Sequence, residues 1–272
     1  MRAVLASVSF ALYLAVGVTP ATAQKPVPRT VAPTVVPSLP PDTLRWPTGT
    51  FSILAIDTLT GEIGGAVQSR VFSVGNGVLW GEAGVGIAAT QAIVDVSYGP
   101  QALALLRQGM NAERVVKQVW ANDPNPRPVD WNKEGRQFAV MDVHGGFFAY
   151  TGPKASEWAG HASCALPHRC TAQGNILAGP GVVDSMVAAF QRTPGRLADR
   201  LVAALEGGQR AGGDKRGMQS AAMLIVHQKK GCGIWLNNDV VLRLQVDDSP
   251  EPIKELRRLV ESPGARRKND GC

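Results

Sequence analysis

The chain predicts an α+β fold in which two mainly antiparallel sheets pack face to face with helices outside. Two observations point there. Strand pairs and helix pairs alternate along the sequence and end on further strands, and elements with one apolar face must bury it against another layer. Composition agrees: 44% of residues are hydrophobic, 18% are charged and 30 are glycine, and the ~200 residues that follow a proline-rich start suffice for one sizeable core. No repeat of fixed period is present.

Each element has its own signal. Thr50 to Asp57 and Ile63 to Arg70 read as half-buried strands of a hairpin joined by the turn Thr58-Leu59-Thr60-Gly61. Gly84 to Gln91 is a further strand whose small residues permit close backbone approach. Pro100 to Gln108 and Ala112 to Trp120 carry apolar residues at helical spacing; Asn111 caps the second, which ends before Asp123-Pro124. Gln137 to Val143 and Phe147 to Thr151 form another hairpin around His144-Gly145-Gly146. Thr171 to Leu177 reads as a strand, followed by helices over Gly181 to Arg192 and Arg196 to Glu206. Ser220 to His227 is a continuous apolar run, as in a strand covered on both faces, whereas Val240 to Val246 alternates like an outer strand. Pro252 to Val260 closes the domain with a short helix.

The ends of the chain read differently from its middle. Met1-Arg2 is a basic start, Ala3 to Val18 is almost wholly apolar, and Ala21-Thr22-Ala23 has the small-x-small pattern of a cleavage site before Gln24. Residues 1–23 are therefore expected to be a signal peptide, since the apolar run is shorter than the roughly 20 residues of a spanning helix. Export to the periplasm or the extracellular space follows. Residues 24–49, crowded with Pro, Val, Thr and Ser, are a linker or propeptide. Residues 50–261 form the domain, and 262–272 a basic disordered tail.

The formal net charge is +6. Much of the positive charge lies late, at Lys254, Arg257, Arg258, Arg266, Arg267 and Lys268, without interleaved aromatic residues for base stacking, so nucleic acid is not an expected partner. Four cysteines suit an exported protein and can pair in three ways. Cys164 and Cys170 bracket a short loop, leaving Cys232 and Cys272 either as a second pair or as a buried and a terminal thiol. His161, Cys164, His168 and Cys170 share one Gly/Ala/Pro-rich loop and lack the spacing of a zinc site, so neither metal nor cofactor is expected.

The order of several blocks resembles a known family. Thr50-Phe51-Ser52-Ile53, Thr60-Gly61-Glu62, Ser69-Arg70, Gly84-Val85-Gly86 with Ala89-Thr90-Gln91, and Ser97-Tyr98-Gly99-Pro100 open the series. Trp158-Ala159-Gly160-His161, Gln173-Gly174-Asn175-Ile176-Leu177, Gly212-Gly213-Asp214-Lys215-Arg216-Gly217 and Val246-Asp247-Asp248 complete it. Together they look like the domain-of-unknown-function 1028 family, in order from Thr50 to about Val260. That family is placed in the N-terminal-nucleophile hydrolase superfamily, so the resemblance implies the four-layer αββα sandwich and hydrolysis of an amide bond, with no established substrate.

In that superfamily the first residue of the mature chain supplies both hydroxyl and α-amine. Thr50 fits, provided that the Gly49–Thr50 bond is cut. Its free amine, with an ordinary pKa of about 7.7 to 8.0, would serve as base near neutral pH. Glycine at 49 lowers the steric resistance to attack by the Thr50 hydroxyl. Asn175, polar on an otherwise apolar strand, is a candidate oxyanion-hole or substrate-orienting amide, or else satisfies a turn. Asp214 is placed to orient a base or the amine, and Lys215 to receive a substrate carboxylate, while Arg216 reads as part of a salt-bridged loop. Ser52, Gln68, Arg70 and Lys215 make up the expected substrate-binding set.

Two departures from the proteasome-like pattern stand out. Gln68 occupies the place of the supporting Asp, and Leu79-Trp80-Gly81-Glu82 stands where a Lys is expected. Arg70 is placed to raise the local positive potential and lower the amine pKa, or is a solvated strand-end charge. Two functions follow: an exported amidohydrolase acting on a small amide or peptide, or a secreted binding or structural module that keeps the fold. Self-association stays open.

Overall fold

The computed structural model describes residues 49–266 and Cys272. The signal peptide and nearly all of the linker expected over 1–49, and residues 267–271 of the tail, lie outside the described residues.

Among the described residues, ten strands and five helices follow one another. The first hairpin pairs β1 (Thr50–Asp57) with β2 (Glu62–Ser69), and β3 (Leu79–Glu82) and β4 (Gly86–Ala92) make the next. Helices α1 (Tyr98–Arg107) and α2 (Ala112–Ala121) precede β5 (Arg136–Asp142) and β6 (Phe147–Thr151). Then come β7 (Gly160–Ser163), β8 (Arg169–Asn175), α3 (Gly181–Arg192), α4 (Leu197–Arg210), β9 (Ser220–His227), β10 (Val240–Val246) and α5 (Pro252–Glu261). Six strands form one antiparallel sheet in the order β10-β9-β2-β1-β8-β7; the other four form a second in the order β3-β4-β5-β6.

Alternation along the strands builds the layers. Phe51, Ile53 and Ala55 of β1 enter a core with Met186 and Phe190 of α3, Leu201 and Leu205 of α4 and Leu256 of α5. Their neighbours Leu54 and Ile56 turn the other way, to Ile87, Ala89, Ala139 and Met141 of the second sheet. The opposite face of that sheet, through Ala88, Phe138 and Val140, packs on Ala102, Val115 and Val119 of α1 and α2. Three cores separate four layers: helices, sheet, sheet, helices. Every residue of β1 is buried because it lies inside two of those cores.

Local chemistry explains most boundaries. Asn111 caps α2 by accepting from the Arg114 amide. Gly61, at φ +78°, supplies the left-handed residue of the first turn, where a side chain would press on the His227 ring. Several readings change. Strand β4 begins at Gly86 rather than Gly84, because Gly84 and Val85 belong to the turn that follows β3, Gly84 at φ +75°. Helix α4 runs past Glu206 to Arg210, because Gly207 and Gly208 let it approach Ser185, Met186 and Ala189 of α3 too closely for a side chain. Helix α1 begins at Tyr98, ahead of Pro100, and β8 spans Arg169–Asn175, since Ile176 turns at φ +54°. The Gly/Ala/Pro-rich loop around His161 contains the short edge strand β7.

Both cysteine pairs form. Cys164–Cys170 closes the β7–β8 connection, and Cys232, after β9, bonds Cys272 across a separation of 40 residues. The stretch 262–272 expected to be a disordered tail thus includes a short 3-10 turn at Gly264–Arg266 and the disulfide-bonded Cys272. His227 lies with these sulfurs in a cluster whose ligand-type atoms are within 4.8 Å of one another. The sulfurs are bonded to each other. The ring nitrogens of His227 contact the Thr60 carbonyl and accept from the Lys229 amide.

A buried ion pair fastens α1 and α2 to the second sheet. Arg136 Nε lies 3.0 Å from Asp123 Oδ2, which also accepts from the Tyr98 hydroxyl at 2.6 Å. Burial pushes the Asp123 carboxyl up, but the Tyr98 hydroxyl, the Asn125 amide and the Arg136 charge outweigh it and hold the group below its ordinary value. Burial and the Asp123 carboxylate together push the Tyr98 phenol well up.

Candidate active site

Thr50 opens β1 in the middle of the six-stranded sheet, paired with Ser69 of β2 on one side and Asn175 of β8 on the other. Directly paired residues share a face, so Thr50, Ser69 and Asn175 point into the space between the sheets. Ser52 and Gln173, opposite each other two residues along, share that face. The inter-sheet layer is therefore apolar beside Leu54 and Ile56 and polar at the Thr50 end.

That polar end is a buried hydrogen-bond network. Ser52 donates to Gln91 Oε1 at 2.6 Å and accepts from Gln173 Nε2 at 2.6 Å. Gln91 Nε2 donates to Gln137 Oε1 at 2.8 Å, and Asn175 Nδ2 reaches the same oxygen at 3.1 Å. Gln137 Nε2 donates to Gly174 O at 2.9 Å and to Thr151 Oγ1 at 2.9 Å. Ser52, Gln91, Gln137, Gln173 and Asn175 are all buried, so the network ties β1 and β8 to β4 and β5 inside the protein. Asn175 Oδ1 is the exception, buried without a hydrogen-bond partner among the described residues.

The peptide bond that precedes Thr50 is held on its carbonyl. Arg216 Nη2 donates to Gly49 O at 2.5 Å, and the Ser69 hydroxyl donates to the same oxygen. With the Ser69 proton so engaged, the hydroxyl contact of 3.0 Å between Thr50 and Ser69 runs from Thr50 Oγ1 as donor to Ser69 Oγ as acceptor. Arg216 is itself fixed by Asp214: Nε to Oδ1 at 3.0 Å, Nη2 to Oδ2 at 2.6 Å, and the Arg216 amide to Oδ1 at 2.9 Å. The Asp214 side chain is fully buried. Its loop is strapped to the end of β8 by the Leu177–Asp214 bridge and by Lys215 N donating to Ile176 O at 2.9 Å.

The expected site residues divide accordingly. Thr50, Ser52, Asn175 and Asp214 gather around the start of β1. Gln68 pairs with Phe51 and so takes the opposite face of the sheet from Thr50; its Nε2 reaches Gly217 O at 3.4 Å and its Oε1 is buried without a hydrogen-bond partner among the described residues. Arg70 is exposed and donates to Met218 O at 2.8 Å, and Lys215 is exposed. Neither side chain hydrogen-bonds Thr50.

Ser69, Arg216 and the glutamines Gln91, Gln137 and Gln173 are the residues that sequence reasoning passed over. Ser69 carried a usable signal: a hairpin that pairs Asp57 with Glu62 must pair Thr50 with Ser69. Arg216 was read only as a loop salt bridge, which it makes, while its contact with Gly49 spans 167 residues.

No functionally curated protein matches the sequence. Among solved structures, Anbu from Hyphomicrobium sp. strain MC1, as a Gly-1 mutant, aligns at 11% identity over 81% of this chain and 98% of its own, with a TM-score of 0.39. Anbu, described as an ancestral beta-subunit, from Yersinia bercovieri aligns at 10% identity over 76% of this chain and 92% of its own, with a TM-score of 0.37. Protein SPO2555 from Silicibacter pomeroyi is much nearer, at 31% identity over 80% of this chain and 89% of its own, with a TM-score of 0.68. The model of the family of unknown function DUF1028 matches residues 50–256. The domain that begins at Thr50 therefore belongs to the DUF1028 family.

Proposed function

We propose that the protein is an exported hydrolase of the N-terminal-nucleophile type, acting on the amide bond of a small amide or peptide in the periplasm or outside the cell. Thr50 is its nucleophile once the Gly49–Thr50 bond is cut. The observation that carries this reading is the pair of donors, Arg216 Nη2 and Ser69 Oγ, on the one carbonyl oxygen that such a cut must polarise.

These contacts support the following route. Thr50 Oγ1 adds to the Gly49 carbonyl carbon while its proton passes to Ser69 Oγ and the Ser69 proton passes to the carbonyl oxygen. The proton transfer leaves the adduct neutral, and Arg216 stabilises the partial negative charge the oxygen carries before that proton arrives. The proton on the former carbonyl oxygen then passes to the nitrogen as the C–N bond breaks and the C=O re-forms, so the nitrogen leaves as the Thr50 α-amine and Gly49 remains as an ester on Oγ1. Water hydrolyses the ester with the amine as base. An incoming amide passes through the same addition, ester and hydrolysis.

N-terminal sequencing and intact mass of the secreted protein test the reading. The expected mature chain starts at Thr50, and Thr50→Ala keeps the residues before it. A wild-type chain that starts only at Gln24 would overturn the hydrolase and leave a secreted binding module.

A further inference from the structure

We infer that the acyl half of the bond Thr50 attacks must have an unsubstituted α-carbon, so that the substrates are glycyl amides. The inference rests on Thr50 being the nucleophile and adds what Thr50 accepts. Gly49 marks where an acyl group lies, because its carbonyl oxygen sits on the two donors that hold a carbonyl for attack. A side chain on its α-carbon has no room. A methyl built there meets Arg216 Nη2 at 2.5 Å, Arg216 Nε at 2.7 Å and Asp214 Oδ2 at 2.7 Å, closer than carbon normally approaches any of these atoms.

An arginine often swings aside for a newcomer. This one is restrained by two side-chain bonds to Asp214 and by its own amide on the same carboxylate. Asp214 is in turn fixed in a loop bridged to Leu177. Moving the guanidinium would strip a fully buried carboxylate of its cation and withdraw a donor from the reacting carbonyl. The pair that activates the carbonyl is also the wall that excludes a substituent.

With a glycyl amide, the bond from Thr50 Oγ1 to the acyl carbon forms and the C–N bond breaks. The proton lost by the hydroxyl leaves on the amine, and water splits the ester to return the hydroxyl and release the glycyl acid.

Two arms test this. In the first, wild type and Gly49→Ala are secreted and followed by intact mass. In the second, wild-type protein starting at Thr50 receives the aminomethylcoumarin amides of N-acetylglycine, N-acetylalanine and N-acetylleucine. The expected result is self-cleavage slowed roughly 10- to 100-fold in Gly49→Ala, and coumarin release falling by a similar factor from the glycyl to the alanyl amide. Self-cleavage of Gly49→Ala at the wild-type rate, or equal turnover of the three amides, overturns the glycyl requirement while Thr50 keeps its role. Failure to cleave any of the three amides also counts against glycyl amides as the substrate class. Failure of wild type to be cut removes the parent reading instead. If Gly49→Ala loses its cooperative melt, the amide series on wild type decides alone.

Discussion

Thr50 and Ser69 face each other across the β1–β2 pair, hydroxyl to hydroxyl at 3.0 Å, with the Ser69 proton directed onto the carbonyl of the residue before Thr50. Ser69→Ala removes both the acceptor for the Thr50 proton and one donor to Gly49 O. The cut at Gly49–Thr50 is expected to slow by roughly 100-fold, as when an oxyanion donor is deleted, while the cost in stability stays near ~1 kcal/mol. A time course of intact mass, set beside urea unfolding, measures both.

Arg216→Ala leaves the Asp214 carboxylate buried without the guanidinium that pairs with it. Loss of about 3 kcal/mol is expected in urea unfolding. Arg216→Ala combined with Asp214→Ala removes both charges and should recover most of that stability without recovering the cut. Recovery of both would show that Arg216 contributes only by compensating Asp214.

The buried pair of Asp123 and Arg136 sets an acid limit. The Asp123 carboxyl is held below its ordinary value of 3.8, so the folded state binds its proton less readily than the unfolded chain does. Its contribution is fully present above the ordinary value and disappears as pH falls through the lower, folded one. Urea unfolding of wild type and Asp123→Asn should differ most at pH 5 and above, and the gap should narrow steadily below pH 4. A gap independent of pH would remove the carboxylate from the account.

Cys272→Ser opens the disulfide that closes a 40-residue span back to Cys232. Loss of roughly 2–4 kcal/mol is expected from the freed unfolded chain, with a free Cys232 thiol detectable by alkylation under denaturing conditions. Unchanged stability would mean that the unfolded chain gains little freedom from the opened loop.

Much of this architecture could be read from periodicity. Ser220 to His227 is continuously apolar because β9 is covered on both faces, and the turn before Gly61 carried the register of the first hairpin. What escaped was set by distant contacts. The glycines that would end an isolated helix continue α4, because α3 approaches them closely, and β7 is a strand because β8 offers its edge. The site divides in the same way. Thr50 and Asn175 stand out by type and position, whereas Gln91, Gln137 and Gln173 are ordinary polar residues until three strands bring them into one network, Gln91 on Gln137 and both Gln91 and Gln173 on Ser52. Gln68, a departure from the supporting Asp that reads as a substrate-binding residue, is carried by alternation to the far face of the sheet.

The central place of β1 bears on what a cut at Thr50 does to the molecule. From Thr50 to Ile56 the strand is bonded to β2 on one edge and β8 on the other, so a chain end made by the proposed cleavage would already be clamped on both sides. Chain termini usually fray. This one would be among the last segments to exchange its amide hydrogens, and the new amine would inherit a fixed position beside its own hydroxyl with no further ordering of the chain.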